Sequence, residues 1–115
     1  MKIVCKVWLD QDGKAFGDGP HELLRRVEKT NSLHKAANQM GMAYSKAWGL
    51  IRNVERRLGF PLLERKVGGV SGGGSIVTPK GKEFMSTYER FRKEVDVAIE
   101  KIFQQHFVAE QRKKK

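Results

Sequence analysis

The sequence contains a single cysteine, Cys5, among its 115 residues, so no disulfide bond can form within the chain. Cys5 falls in an apolar alternation, and we interpret it as a small core residue. No apolar run approaches the roughly 18 residues of a membrane-spanning helix, and the N-terminus lacks the apolar block of a signal peptide. We therefore expect a cytoplasmic protein with no membrane partner.

Residues that form catalytic and metal sites are also scarce. The three histidines are scattered along the chain: His21, His34 and His106. No Cys or His pair has metal-ligand spacing, so a structural or surface role is the simpler interpretation of each histidine. Gly81-Lys82 fails the P-loop pattern, because Glu83 follows and no glycine lies five residues earlier. The sequence therefore predicts no enzyme, no metal site and no cofactor.

Acidic residues are in the minority, with 13 Asp and Glu against 23 Lys and Arg and a net charge of +10. The excess is concentrated, since eight basic and two acidic residues give residues 44–82 a net charge of +6. A strongly basic chain indicates a polyanionic partner, either nucleic acid or an anionic membrane surface. The plainer alternative is that the excess of Lys and Arg only makes the surface soluble. Its concentration in residues 44–82 makes this alternative less favoured.

Residues 32–59 predict two helices joined by a tight turn. A short helix carries the Ala36-Ala37 pair and begins after Ser32, a good N-cap residue. The turn falls at Gly41, and a longer helix ends before Gly59. Apolar residues of the longer helix are spaced four, three and four apart: Ala47, Ile51, Val54 and Leu58. That spacing places them on one face, which packs against a core.

The opposite face of the longer helix carries aromatic, hydroxyl and charged groups. They are Tyr44, Ser45, Trp48, Arg52 and Glu55, with Lys46, Arg56 and Arg57 beside them. A helix that packs on one side and offers such groups on the other suits the DNA major groove. Two interpretations of Trp48 stay open: burial against the first helix of the pair, or contact with a DNA sugar or a thymine methyl group.

Residues 1–17 predict an N-terminal β-hairpin. Residues 1–9 alternate as a half-buried strand does, Asp12-Gly13 suits a tight bend, and residues 14–17 can return as a second strand. Val4 and Trp8 fall on the exposed side, where they can pack on another part of the fold or on a second subunit. Pro20 suits the first position of a helix to about Thr30, which completes a three-helix core over residues 20–59.

Residues 62–79 predict a wing of two short strands around a glycine-rich tip, residues 68–74. Backbone N–H groups at Gly72 and Gly73 can approach phosphates without obstruction by side chains. Arg65, Lys66 and Lys80 flank the tip with positive charge. A flexible connector is the alternative interpretation of the glycines.

Residues 80–107 predict one long helix with an apolar seam. The seam follows the four-three alternation of a heptad: Phe84, Tyr88, Phe91, Val95, Ala98 and Ile102. The helix is longer than a domain of this size needs for its own core, so we assign the seam to dimerisation with a second copy. The alternative is a helix folded back on its own three-helix core. Residues 108–115 follow as a basic tail.

This order of elements resembles the LysR-type winged helix-turn-helix, and more closely the N-terminal DNA-binding domain of the molybdate-responsive ModE-type regulators. The resemblance covers almost the whole chain, and Ala47-Trp48 together with the glycine-rich wing is its most specific feature. It is carried by Ser32, Ala36-Ala37, Gly41, Tyr44, Ala47-Trp48, Ile51, Leu58-Gly59, Glu64-Arg65, residues 68–74, Thr78 and Gly81.

The resemblance implies a mainly α fold with small β elements, an α+β winged helix-turn-helix domain over residues 1–115. It implies a sequence-specific transcriptional regulator that binds double-stranded DNA as a homodimer on a palindromic operator. The N- and C-terminal elements would join the two copies. By position, the residues nearest the DNA would be Tyr44, Ser45, Lys46, Trp48, Gly49 and Arg52.

The sequence departs from the family pattern in two places. Ala43 stands where these families often have Ser or Thr as the cap of the recognition helix, and Ser45 is an alternative cap. The chain ends at Lys115 without the molybdate-binding domains, so molybdate sensing is not carried over, and no small-molecule effector is evident from this sequence. Two other functions stay open: an architectural protein with little sequence preference, and a winged helix that binds a protein through Tyr44 and Trp48.

Overall fold

The computed structural model describes residues 1–66 and 74–108, and its elements follow the predicted order. The helices are α1 (Asp18–Thr30), α2 (Leu33–Gln39), α3 (Tyr44–Leu58) and α4 (Pro79–Phe103), and α4 continues into a π-helical segment, Gln104–Val108. Two antiparallel hairpins pair β1 (Trp8–Asp10) with β2 (Lys14–Gly17), and β3 (Leu63–Lys66) with β4 (Gly74–Val77). The predicted α+β winged helix-turn-helix fold is confirmed.

The core lies where α1, α2 and α3 meet and is closed by the first hairpin and α4. Its fully buried side chains come from β2, the three helices and the segment before β3, and they include Phe16, Leu23, Leu24, Val27, Ala36, Ile51 and Leu62. The ring of Phe16 on β2 contacts the rings of Phe84 and Tyr88 edge-on, with both centroid distances 4.9 Å. Burial of each large apolar side chain contributes about 1.5–3 kcal/mol, so this cluster fixes α4 and the hairpin on the helix pair.

The helix pair has the boundaries that its local signals predict. The Ser32 hydroxyl accepts the Lys35 N–H at 3.0 Å and caps α2. Gly41 in the turn has φ +65°, and Gly59, which ends α3, has φ +86°. Only glycine adopts these backbone angles without steric cost. The small side chains of Ala36 and Ala37 are buried, as a close approach of α2 and α3 requires.

The predicted strand over residues 1–9 is wrong for most of its length. Only Trp8–Asp10 forms a strand, and residues 1–7 have no regular secondary structure. The reason lies in the partner strand: β2 has four residues, and its last residue, Gly17, already pairs with Trp8. Residues before Trp8 therefore have no strand to pair with. The bend itself is confirmed, since Asp12 and Gly13 have φ of 55° and 123°.

Helix α1 begins two residues before the predicted position. It starts at Asp18, after Gly17, so Pro20 is its third residue instead of its first. A proline is tolerated there because the first N–H groups of a helix have no intrahelical partner. The side chain of Pro20 is buried.

In the first three turns of α4, the apolar seam packs into the core of its own chain. Tyr88 is only 3% exposed, and Phe84 packs against Phe16 and against Phe60, at a centroid distance of 5.9 Å from the latter. We therefore correct the assignment of Phe84 and Tyr88 to the dimer. Further along the helix, Phe91 and Ile102 are 41% and 54% exposed, while Val95 is half-buried and Ala98 is exposed.

Candidate nucleic-acid interface

Helix α3 has one buried face and one exposed face, as its periodicity predicts. Ala47, Ile51 and Val54 are at most 1% exposed and pack into the core, whereas Leu58 is half-buried. We use the name recognition surface for the predicted DNA-binding residues of α3, the wing and the start of α4. Those that the structure describes are Tyr44, Ser45, Lys46, Trp48, Gly49, Arg52, Arg65, Lys66 and Lys80.

The start of α3 is open to a ligand. Tyr44 is 38% exposed, and its ring lies beside that of His34 on α2, with centroids 5.3 Å apart. Ala43 precedes the helix, and within the described residues no side chain caps it, so Ser45 does not take over that role. Free N–H groups at a helix start carry partial positive charge, which adds to the exposed Lys46 next to them.

The middle of α3 carries a half-buried Trp48 with two guanidinium groups over its ring. The indole packs against the core cluster. Cζ of Arg52 lies over its ring at 5.3 Å from the centroid, and Cζ of Arg65 on β3 lies over it at 5.8 Å. Gly49 is exposed, and a Cβ placed there would meet no atom within 4 Å, so the backbone at this point is accessible to another molecule.

The wing is fixed at the base of β4 to Asn31, the residue that ends α1. Gly74 pairs with Lys66 on β3, and the Ser75 N–H donates to the Asn31 carbonyl at 3.0 Å. A Cβ on Gly74 would lie 2.4 Å from the same carbonyl oxygen, so only glycine fits there. This contact explains one glycine of the predicted tip by close packing. Gly72 and Gly73 lie outside the described residues.

The cations of the wing and of the start of α4 are exposed. Arg65 and Lys66 lie on β3, opposite Ser75 and Gly74 in the hairpin. Lys80 lies in the first turn of α4, with its ammonium group 4.9 Å from the centroid of the Phe60 ring. Cations of α3, the wing and the start of α4 are thus exposed, and the contact of Arg65 with Trp48 joins the wing to α3.

Two charged residues of α3 that the sequence places among the DNA-binding groups instead make hydrogen bonds within the fold. Oε2 of Glu55 accepts the N–H groups of Leu62 and Leu63, at 2.7 and 3.3 Å. The guanidinium of Arg57 donates to the carbonyl groups of Gln11, at 3.3 Å, and Asp12 in the first hairpin. One signal was available for Glu55, because a lone acid among the bases of a DNA-binding helix indicates a partner within the fold.

We expect replacement of Glu55 by Ala to destabilise the protein by about 2 kcal/mol, because two backbone N–H groups lose a charged acceptor. Leu62 and Leu63 are buried, so water replaces that acceptor poorly. Urea unfolding at pH 7 measures the loss. The matched control is Glu64→Ala at an exposed position of β3, for which a change below about 0.5 kcal/mol is expected. Equal effects of the two substitutions would contradict this role of Glu55.

A second polar cluster joins α1, α4 and the N-terminal segment. Asp18 accepts the Tyr88 hydroxyl at 2.5 Å and Nε of Arg92 at 3.1 Å, and the Arg92 guanidinium also donates to the Cys5 carbonyl at 2.6 Å. Burial alone would raise the pKa of Asp18, but the hydrogen bonds from Tyr88 and Arg92 lower it overall. Burial, and then the hydrogen bond to Asp18, raise the pKa of Tyr88.

We expect Asp18→Asn to destabilise the protein more at pH 7 than at pH 3. A carboxylate whose pKa is lower in the folded state stabilises above its unfolded pKa of about 3.9, and this contribution is lost as the pH falls through the folded value. Urea unfolding of wild type and variant at both pH values measures the difference. Glu94→Gln, at an exposed position of α4, is the control, and a difference independent of pH would contradict the prediction.

The described residues hold neither a membrane-crossing segment nor a cluster for a metal ion. None of the helices in residues 1–66 and 74–108 is long and apolar enough to cross a membrane. In the same residues, no three His, Cys, Asp or Glu side chains are grouped so that they can hold a metal ion.

A helix pair with an exposed second helix, followed by a two-stranded wing, defines a winged helix-turn-helix domain. Residues 21–82, more than half of the chain, match the bacterial regulatory helix-turn-helix proteins of the lysR family. The chain belongs to this family, which confirms the resemblance stated from the sequence.

Several relatives are molybdenum-related proteins. The chain is 30% identical over 82 residues to the molybdenum-pterin-binding protein MopB of Rhodobacter capsulatus, which covers 71% of this chain and 30% of that protein. It is 28% identical over 102 residues to the molybdenum transport protein ModE of Azotobacter vinelandii, covering 88% of this chain and 38% of the relative. It is 30% identical over 90 residues to the transcriptional dual regulator ModE of Escherichia coli K12, covering 77% of this chain and 34% of that regulator.

The alignments thus span about a third of the length of these relatives. Among solved structures, DarR of Vibrio fischeri in complex with DNA, described as a member of the LTTR family, superposes with a TM-score of 0.57 at 22% identity. That likeness covers 75% of this chain and 28% of DarR. It supports the fold alone.

Proposed function

We propose that this chain is a sequence-specific transcriptional regulator that binds a palindromic DNA operator as a homodimer, with α3 in the major groove. The observation that carries the proposal is the stripe of α3 that lies opposite its buried face. Tyr44, Trp48 and Arg52 follow one another at intervals of four residues, and therefore lie on one side of the helix. An arginine and a tyrosine there offer donors to base edges, and Arg65 and Lys66 of the wing offer charge to phosphates.

The charge distribution favours nucleic acid over a membrane as the polyanion. Residues 44–82, which contain α3, the wing and the start of α4, carry the net charge of +6. The exposed side of α3 is rich in hydrogen-bond donors, while its apolar residues Ala47, Ile51 and Val54 are buried in the core. A membrane-surface helix would instead present those apolar residues to lipid.

The second half of α4 supports the homodimer. The molecule measures 67 × 28 × 22 Å, as expected when a helix of 25 residues extends beyond a small core. Phe91, Val97, Ile102 and Phe107 are large apolar residues that this part of the chain leaves exposed. A matching helix from a second copy would remove them from water, with Phe91, Val95, Ala98 and Ile102 as the seam.

Selection from a pool of random duplex oligonucleotides tests the proposal. We expect an enriched palindrome whose half-sites lie one or more helical turns apart, because two recognition helices related by a two-fold axis require that spacing. Sedimentation of the free protein is expected to give the mass of a dimer. DNA binding without a consensus would support an architectural protein instead, and no binding at low salt would support a protein-interaction module.

A further inference from the structure

Trp48 contacts cationic groups from two different elements of the recognition surface. Arg52 follows it by one turn on α3, and Arg65 belongs to the wing strand β3. Both guanidinium groups lie over the same indole ring, with Cζ at 5.3 and 5.8 Å from its centroid. Trp48 is also one of the half-buried residues that pack against the core cluster, so the fold restrains its position.

Within residues 1–66 and 74–108, neither guanidinium group forms an ion pair with an acidic side chain. The ion pairs of that part of the chain are His21–Glu89, Arg26–Glu22, Arg92–Asp18 and Arg92–Asp96. Among the same residues, Arg52 and Arg65 make no side-chain hydrogen bond either. A guanidinium that stacks on an aromatic face keeps its five N–H donors, which point outward in its plane. The indole is therefore the contact that Arg52 and Arg65 share, and their N–H donors have no hydrogen-bond partner among the described residues.

We propose that Trp48 is a positioning residue that joins α3 and the wing into one DNA-binding unit. It holds Arg52 toward a base edge and Arg65 toward a neighbouring phosphate. This inference rests on the proposed function and deepens it, because it names the side chain through which two separate elements act together. It also answers the question that the sequence left open, since Trp48 is half-buried and acts on DNA through its two neighbours.

The proposal predicts coupling between Trp48 and each of the two arginines. A cation–π contact at a partly exposed site corresponds to about a threefold to thirtyfold effect on an equilibrium constant. If Trp48 orients Arg65, removal of Arg65 matters much less once the indole is gone. If Trp48 instead contacts DNA by itself, or serves only the core, the losses from the two substitutions multiply.

Double-mutant cycles on DNA binding test this coupling. The variants are Trp48→Leu, Arg65→Ala and Arg52→Ala, with each arginine substitution also made in the Trp48→Leu background. The probe is the duplex recovered by selection, together with a duplex of random sequence at low salt. On the selected duplex, we expect Arg65→Ala and Arg52→Ala to weaken binding about tenfold in the wild-type background and less than about threefold in Trp48→Leu.

The control pair is Trp48→Leu with Arg56→Ala, at an exposed position of the same helix that makes no aromatic contact among the described residues. Its losses are expected to multiply. Trp48→Phe, which retains an aromatic face, is expected to restore most of the coupling to Arg65. Circular dichroism checks the fold of each variant, and Trp48→Met carries the cycle if Trp48→Leu does not fold.

Fully multiplicative losses for both arginines, with wild-type binding to the selected duplex intact, would overturn the role of Trp48 and leave the proposed function standing. Failure of the selection to give a consensus would instead overturn the proposed function. The cycle on the random duplex then still decides whether Trp48 positions Arg65, because a phosphate contact does not depend on sequence. Absence of any DNA binding by the wild type at low salt would overturn both.

Discussion

The affinity of this protein for duplex DNA is expected to fall by about 10³-fold between 50 and 200 mM salt. Each phosphate that a Lys or Arg neutralises releases condensed counterions, and six such contacts already produce a loss of that size. The recognition surface carries exposed cations on three elements, among them Lys46, Arg65, Lys66 and Lys80, and a dimer presents them twice. Fluorescence anisotropy of a labelled duplex over a salt series measures the slope.

The slope also shows which cations touch phosphate. Arg65→Ala is expected to reduce it by about one for each copy bound to DNA. Arg90→Ala removes the same charge from an exposed position of α4, outside the recognition surface, and is expected to leave the slope unchanged. A flat affinity from 50 to 200 mM would contradict binding through phosphates. Equal slopes after both substitutions would place the contact surface elsewhere on the chain.

Local signals were sufficient for the helix pair. Ser32, Gly41 and Gly59 each specify a cap or a turn through their own side chain or backbone freedom, and the spacing of Ala47 and Ile51 specifies a buried face. These signals depend on neighbours within four residues in the chain. The structure reproduces them because the tertiary fold agrees with the local preference.

Signals that depend on a distant partner were missed. Periodicity along α4 identifies an apolar stripe but not the surface that covers it, and Phe84 and Tyr88 pack on Phe16, which lies about seventy residues earlier. The length of β1 is set by its short partner β2, which ends at Gly17. In both cases the deciding contact joins residues whose proximity only the folded chain creates.

The candidate site also combines features that local signals predict with contacts that depend on distant residues. Exposure of Tyr44 and Arg52 follows from the burial of the opposite face of α3, so helix geometry alone predicts it. The contact between Trp48 and Arg65 joins α3 to the wing, and no spacing in the sequence predicts it. The carboxylate of Glu55 likewise accepts the backbone N–H of Leu62, seven residues later in the chain.

Replacement of Arg52 by Ala is expected to weaken operator binding by about tenfold to a hundredfold, while random duplex loses only about twofold to threefold. A bidentate contact between a guanidinium and a base contributes about 1–3 kcal/mol of discrimination against the wrong base pair. Random DNA usually lacks the base pair that makes this contact. The substitution then removes only a positive charge near the phosphates. Competition binding with labelled operator and unlabelled random duplex measures both losses in one experiment.

The matched control is Lys66→Ala on the wing, which is expected to weaken both duplexes equally because a phosphate contact carries no sequence information. Tyr44→Phe tests the start of α3 in the same assay, since it removes the hydroxyl and keeps the ring beside His34. Equal losses for Arg52→Ala on operator and random DNA would place Arg52 on the phosphate backbone. Base recognition would then depend on the first turn of α3, where Tyr44, Ser45 and Lys46 are exposed, and the operator half-site would shift toward that end of the helix.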